Sequence, residues 1–358
     1  MSKIKTFGRV LLKQTCKGKP TDSVEYDSEE SIDLSLVKPG QCVVKLAFSP
    51  INPSDINVLE GTYVRSPPSL PAVAGMEGSG VVFYLPEDST GADPLDQTGN
   101  AISVGDHVVA WPWNWGSWAE YKVIHTKCLR MIPKEIDLKT ASMMCVNPPT
   151  AYGLLLGARK GEWIIQNAAN SGMGQAIIQV AKARGIHTIN VVRRQGLQQK
   201  LVELGADVVV VFPGVRQQNK GIEKEKLAET AARIKNLIGR ATVKLAINAV
   251  CGLSGELLAK CLSTGGVHLT YGVMAQEPMT VSGGQLLFKD ITYKGWHLQK
   301  LRANPKAYED MWEWLIDAIM NEKVTASSID SIFPLSQAKA AVERAFSNQR
   351  NGKVLFQC

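Results

Sequence analysis

No apolar run in this 358-residue chain approaches the roughly 18 residues that a membrane-crossing helix needs. There is no collagen period, no heptad run and no long polar tract, which excludes fibrous and wholly disordered classes. No Cys-x-x-Cys pair occurs. The seven cysteines, Cys16, Cys42, Cys128, Cys145, Cys251, Cys261 and Cys358, stand singly and in odd number. That spacing argues against a disulfide framework and for a reducing compartment. Residues 1–19 contain no acid, but their apolar part, residues 7–12, is too short for a secretory leader and is expected to be a first strand.

The composition that remains, 45% hydrophobic and 20% charged, suits a globular protein of about two domains. The net charge of +7 is scattered, with basic residues at Lys182, Arg184, Arg193, Arg194 and Lys200 and again across 220–226. No arginine-rich arm or recognition motif accompanies them, so no nucleic-acid partner is expected. The excess reads either as a solvated surface or as attraction for an anionic ligand or acidic partner.

The rhythm of the chain changes near Asn147. Before it, residues 43–47, 80–84, 106–110 and 119–125 predict short strands, with Pro/Gly/Ser-rich loops at 65–71 and 86–105 between them. That is the pattern of a small β-barrel-like domain. After it, strands at 163–168, 186–192, 207–212, 243–250, 266–271 and 291–295 interleave with helices at 174–184, 196–204, 227–238 and 254–262. Apolar strands alternating with amphipathic helices signal βαβ units and a doubly wound parallel sheet. A long helix, Pro305–Met320, precedes a tail whose residues 354–356 are expected to return as a strand to the first domain. The fold class is therefore α/β. The expected domains are 1–146, 147–299 for the dinucleotide-binding part, and a returning segment at 300–358.

The strongest local signal is Ala168-Ala169-Asn170-Ser171-Gly172-Met173-Gly174-Gln175 between a predicted strand and a predicted helix. A pyrophosphate seated on a helix N-terminus needs a tight turn of small residues, because a large side chain holds the backbone away. Ala169, Ser171 and Gly174 occupy the three fingerprint positions. An NAD site usually ends its second strand with an acidic residue for the ribose 2′-hydroxyl. Here Val192 is followed by Arg193, Arg194 and Gln195. Two guanidiniums suit a 2′-phosphate through forked, charge-assisted hydrogen bonds, so the expected cofactor is NADPH.

With these residues in view the chain resembles the medium-chain dehydrogenase/reductases, in which a GroES-like domain accompanies a Rossmann domain. Within them it is most similar to the mitochondrial trans-2-enoyl-thioester reductases. The resemblance rests on Ile51-Asn52-Pro53-Ser54-Asp55-Ile56-Asn57, Asn147-Pro148-Pro149-Thr150-Ala151-Tyr152, Gln166 to Gln175, Thr188-Ile189-Asn190-Val191-Val192-Arg193 and Thr270-Tyr271-Gly272, and covers nearly the whole chain. Zinc alcohol dehydrogenases of the superfamily hold a catalytic metal with Cys, His and Cys. The matching positions here are Asn52, Met76 and Val146, a set that cannot build such a site. The four-cysteine structural lobe is missing as well, since no cysteine lies between Cys42 and Cys128. No metal is expected.

The resemblance implies reduction of a 2-enoyl thioester, carried by coenzyme A or acyl carrier protein, with Tyr63 as the acid that protonates the α-carbon. It further implies that Asn147 lies near the reactive end of the cofactor, that Asn170, Ser171, Gly172, Met173 and Gly174 cradle the pyrophosphate, and that Tyr271, Gly272, Val273 and Met274 run along the nicotinamide. Trp296, His297, Leu298 and Lys353 match further cofactor-contacting segments. A homodimer, acyl carrier protein as partner and the mitochondrial matrix as location follow from the same likeness. His297 stands where the family's animal members carry a large aromatic, and Val64 follows the tyrosine where glycine is common. The run Trp111-Pro112-Trp113-Asn114-Trp115-Gly116-Ser117-Trp118 reads as an acyl-channel lining, a dimer contact or a satellite cluster under loops. Rival readings are a zinc-free quinone oxidoreductase, a non-catalytic NADPH-binding descendant and a transcriptional co-regulator that senses acyl ligands or NADPH. The presence of Tyr63 speaks against the last two.

Overall fold

Contacts in the computed structural model, which describes residues 3–87, 93–110, 116–214, 220–347 and 350–358, divide the chain into two units. The first comprises residues 1–146 and 326–358, the second residues 147–325.

In the first unit the strand Gln41–Pro50 is the organiser. Its period-2 pattern buries Cys42, Val44 and Leu46 on one face, and it pairs antiparallel with Gly78–Tyr84, Tyr121–His125 and the C-terminal strand Lys353–Gln357. The last pairing sets Phe356 opposite Ser49. Phe356 then meets the fully buried Trp118 edge-on, with ring centroids 4.9 Å apart. Trp118 is thus a core residue; Trp111, Trp113 and Trp115 lie outside the described residues. The strand Val24–Asp33 has no counterpart in the sequence reading. Its residues, VEYDSEESID, are acidic and largely exposed, so neither hydrophobic alternation nor β-propensity marks it. Pairing with Lys3–Leu12 and an Arg9–Asp27 hydrogen bond of 2.8 Å hold it instead.

The second unit carries a six-stranded parallel sheet among the described residues. Its spatial order is Val208–Val211, His187–Val192, Trp163–Gln166, Val243–Asn248, Val267–Thr270, Thr292–Gly295. The chain starts in the middle, builds outward to one side, then crosses back to the other side of Trp163–Gln166. The gap between Trp163–Gln166 and Val243–Asn248 is therefore the topological switch point, where doubly wound sheets bind ligands beyond their carboxyl ends. The helix Gly172–Ala183 buries Ile177, Ile178, Val180 and Ala181.

Residues 300–325, expected with the returning C-terminal segment, belong to this second unit. The helix Pro305–Met320 buries Met311, Trp312, Leu315 and Ala318, and Trp314 lies 5.3 Å from the ring of Tyr152. Thr325 donates its backbone N–H to the Gln179 side chain at 2.7 Å. An amphipathic helix is assigned by the surface that covers its apolar face, and that surface is here. The helix expected at 227–238 starts earlier, at Lys220, and several expected strands end one or two residues sooner because the turns begin at their polar ends.

Candidate active site

The carboxyl edge of the parallel sheet gathers most of the residues singled out in the sequence. Ala168 follows Trp163–Gln166 with φ of 50°, turning the chain sharply. Ser171 caps the helix Gly172–Ala183, its hydroxyl accepting the Gly174 N–H at 3.0 Å. A Cβ on Gly174 would lie 2.6 Å from the Ala168 carbonyl oxygen and from Ala169 Cα, so no side chain fits. Asn170 is exposed, and its carbonyl accepts the Gln175 side-chain amide at 2.8 Å. Gly172 and Met173 are half-buried in the helix's first turn. The result is a helix start closely packed on its turn, and a helix terminus with N–H groups lacking intrahelical partners attracts anions.

Arg193, Arg194 and Gln195 leave the neighbouring strand, His187–Val192, exposed, with Gln195 accepting the Gln198 side-chain amide at 2.6 Å. Beyond Val267–Thr270, Tyr271 is half-buried, and its phenol oxygen is enclosed with no hydrogen-bond partner among the described residues; burial raises its pKa. A Cβ on Gly272 would come within 2.8 Å of the Ala249 carbonyl, another close approach. Val273 and Met274 are each 62% exposed, uncovered apolar surface at the sheet edge. Trp296 follows Thr292–Gly295 and packs so closely on the helix Asn147–Leu154 that a Cβ on Gly153 would lie 2.4 Å from its ring. Asn147 is buried at the start of that helix, Leu298 is buried, and His297 accepts the Gln299 N–H at 3.3 Å. An NADPH molecule fits this edge: a cradle without side chains, two exposed guanidiniums on one flank and apolar surface on the other.

The first unit holds a different chemistry. Asn52 opens the helix Pro53–Leu59, and its N–H donates to the Asp55 carboxylate at 2.8 Å. Its side-chain amide donates to Glu77 Oε1 at 2.7 Å, while its side-chain oxygen accepts from the Lys353 ammonium. All four residues are buried. Lys353, expected on the cofactor, thus has its ammonium committed to Asn52, because the strand Lys353–Gln357 carries it into the interior of the first unit. Burial pushes the Asp55 and Glu77 carboxyls up to about 7, more than the neighbouring ammonium pulls them down. Glu77 Oε2 has no hydrogen-bond partner among the described residues. Tyr63 sits just beyond the helix, where the Thr62 and Tyr63 N–H groups both donate to the Asn57 carbonyl. Its half-buried phenol is raised above its ordinary pKa by burial and by the Asp55 charge, with Arg65 opposing.

Asp55 and Glu77 carried no assigned role in the sequence reading. The available signal was an acid inside otherwise small and apolar neighbours, as in Gly75-Met76-Glu77-Gly78. Asn167 and Asn248, polar residues ending strands buried on both faces, were likewise given no role.

Residues 38–134 match the family described as alcohol dehydrogenase GroES-like domain, and residues 172–317 that described as zinc-binding dehydrogenase. The donor set does not suit the metal that this second description implies. Asn52 has both side-chain polar atoms in hydrogen bonds, Met76 is a buried thioether and Val146 offers nothing. No group of three or more His, Cys, Asp or Glu able to hold a metal occurs among the described residues. The mitochondrial enoyl-[acyl-carrier-protein] reductase of Rattus norvegicus is 34% identical over 335 residues, covering 91% of this chain and 83% of the relative. The Etr1p/NADP/crotonyl-CoA complex is 25% identical with a TM-score of 0.83, covering 99% of this chain and all of the other. The Etr1p/Etr2p heterodimer from Candida tropicalis, a mitochondrial 2-enoyl thioester reductase, is 26% identical with a TM-score of 0.80, at 99% and 100% coverage.

The buried acids give a pH signature. Their carboxyls titrate near 7 in the folded chain, against about 4 when unfolded. The folded state therefore holds more protons on these two groups across that window, so their contribution to stability is fully present below about pH 4 and is lost as pH rises through 7. Asp55→Asn removes one of the two groups. Urea unfolding at pH 5 and pH 8 is expected to show a smaller fall in stability for the variant than for wild type. An equal fall in both would mean that Asp55 ionises without cost.

Proposed function

Because the chain belongs to the family of mitochondrial enoyl-[acyl-carrier-protein] reductases, it is an NADPH-dependent reductase of 2-enoyl thioesters, and we propose that Tyr63 supplies its proton. Bound NADPH provides the hydride, which adds to the β-carbon of the enoyl group. The electron pair of the double bond then rests on the α-carbon and thioester oxygen, an enolate-like base. Tyr63, half-buried just beyond the helix that Asn52 opens and fixed by its N–H on the Asn57 carbonyl, presents a phenol that is protonated at neutral pH, and that placement carries the assignment. Transfer of its proton to the α-carbon completes the addition of two hydrogens and leaves a tyrosinate, which the Arg65 charge stabilises.

The remaining roles are proposals of the same kind. Ser171 to Gly174 receive the pyrophosphate at the helix start, Arg193 and Arg194 with Gln195 hold the 2′-phosphate, and Tyr271 to Met274 with Trp296 to Leu298 flank the nicotinamide. We assign Asn147, buried at the head of its helix, to the reactive end of the cofactor. Lys353 acts through Asn52. The substrate is a 2-enoyl chain on coenzyme A or on acyl carrier protein, the partner named in the relatives' activity. The relatives are named as mitochondrial, and we place this chain in the mitochondrial matrix. We also propose a homodimer formed through the edge strand Thr292–Gly295. Beside that strand the helix Gly283–Lys289 buries none of its residues, and Leu287 and Phe288 are 75% and 80% exposed. An uncovered strand edge flanked by large apolar side chains is a ready pairing surface.

Tyr63→Phe is expected to lower kcat with trans-2-enoyl-CoA by at least about a hundredfold, the usual scale of a lost general acid. NADPH affinity, read by fluorescence titration, should stay within about twofold. Undiminished turnover would remove Tyr63 from the chemistry. Phe288→Asp is expected to shift the mass measured by light scattering from dimer to monomer; an unchanged mass would relocate the interface.

A further inference from the structure

The interior of a parallel sheet is ordinarily aliphatic, because both faces are covered. Here two successive buried residues at the end of Trp163–Gln166 are polar, and each reaches a different way. Gln166 donates to the Asn190 side chain at 2.8 Å and to the Gly174 carbonyl at 3.0 Å, on the side of His187–Val192. Asn167 crosses the switch point. Its amide donates to Asn248 Oδ1 at 2.8 Å and to the Ser254 hydroxyl at 3.2 Å, and its oxygen accepts the Ala249 N–H at 2.8 Å.

Those contacts reach further than a single pair. Asn248 Oδ1 also accepts the N–H groups of Val250 and Cys251 at 3.1 and 3.0 Å, which folds the turn after Val243–Asn248 onto Asn167. Cys251 is held there with φ of 65° and ψ of −156°, a region nearly reserved for glycine. That turn in its turn carries the segment after Val267–Thr270. The Asn248, Ala249 and Val250 carbonyls accept the N–H groups of Tyr271, Met274 and Ala275 at 3.0, 3.1 and 3.0 Å. One amide therefore ties the residue next to the glycine turn to the scaffold of residues 271–275. The first lies in the half of the sheet that bears Arg193 and Arg194, the second in the other half.

We propose that Asn167 is a positioning residue for NADPH, setting the spacing between the two halves of the sheet that the cofactor must span. The inference rests on the cofactor assignment given above. A dinucleotide held at its pyrophosphate by one half and at its nicotinamide by the other binds only as well as the two halves are registered, since a shift at one end is felt at the other. Asn167 spends its side-chain polar atoms on Asn248, Ser254 and Ala249 and acts on the cofactor through them. The strained conformation of Cys251 lies inside the turn that Asn248, held by Asn167, folds through its side-chain oxygen.

The test is Asn167→Ala in the full chain, with Ser254→Ala as the milder variant that removes only the 3.2 Å contact. Folded fraction is checked by circular dichroism at the assay temperature, and NADPH affinity is measured by direct titration. Asn167→Ala is expected to raise Kd and KM for NADPH about tenfold, with kcat at saturating NADPH and KM for the enoyl thioester within about twofold of wild type. Ser254→Ala is expected to shift the same two constants about threefold in the same direction. If Asn167→Ala fails to fold, Ser254→Ala carries the decision alone. Unchanged NADPH affinity in the folded variant, or an equal loss in kcat and in both KM values, would overturn the proposal and leave the network a purely structural one. A wild-type chain that does not bind NADPH would instead overturn the cofactor assignment, and this inference with it.

Discussion

Everything at the carboxyl edge of the parallel sheet depends on how closely the helix Gly172–Ala183 packs on the turn that precedes it. Gly174 has no space for even a methyl group, because the Ala168 carbonyl and Ala169 backbone already occupy it. Ala168 accepts a positive φ to make that turn, and Ser171 closes it by capping the helix. A helix start in this condition presents unpaired N–H groups and the positive end of the helix dipole to solvent. The sheet order then decides which flanks the ligand meets. Exposed arginines follow one adjacent strand, and uncovered apolar residues follow a strand across the switch point.

The first unit pursues the opposite strategy and buries its charge. Two carboxyls and one ammonium are gathered round Asn52, and one cation cannot balance two ionised acids away from water. The pair consequently retains protons to higher pH than exposed carboxyls do, a property of the coupled pair rather than of either residue. Asp55 belongs both to this cluster and to the helix Pro53–Leu59, just beyond which Tyr63 sits. Its charge reaches the phenol, so the acid proposed for the reaction is tuned by the buried cluster.

The sequence revealed the second unit well, because hydrophobic periodicity and small-residue turns report local geometry. The strands, the glycine turn and the arginine pair stand where their patterns placed them. It revealed less where tertiary contacts decide. Val24–Asp33 is a strand despite its acidic composition, held by its neighbour rather than by propensity. The helix Pro305–Met320 was legible as a helix, but its allegiance depended on which surface covered Met311 and Leu315. Lys353 lies 301 residues from Asn52 in the chain, and no local pattern announces that pairing. The Asn167–Asn248 bridge spans 81 residues and is hidden for the same reason.

Isotope placement tests the central claim most directly. With NADPH carrying deuterium at the transferable C4 position, reduction of a trans-2-enoyl-CoA in ordinary water should give a product labelled once, at the β-carbon. With unlabelled NADPH in heavy water, the label should appear once, at the α-carbon, since the Tyr63 hydroxyl exchanges with solvent. Cofactor deuterium at the α-carbon, or no transfer to the enoyl chain at all, would contradict the account.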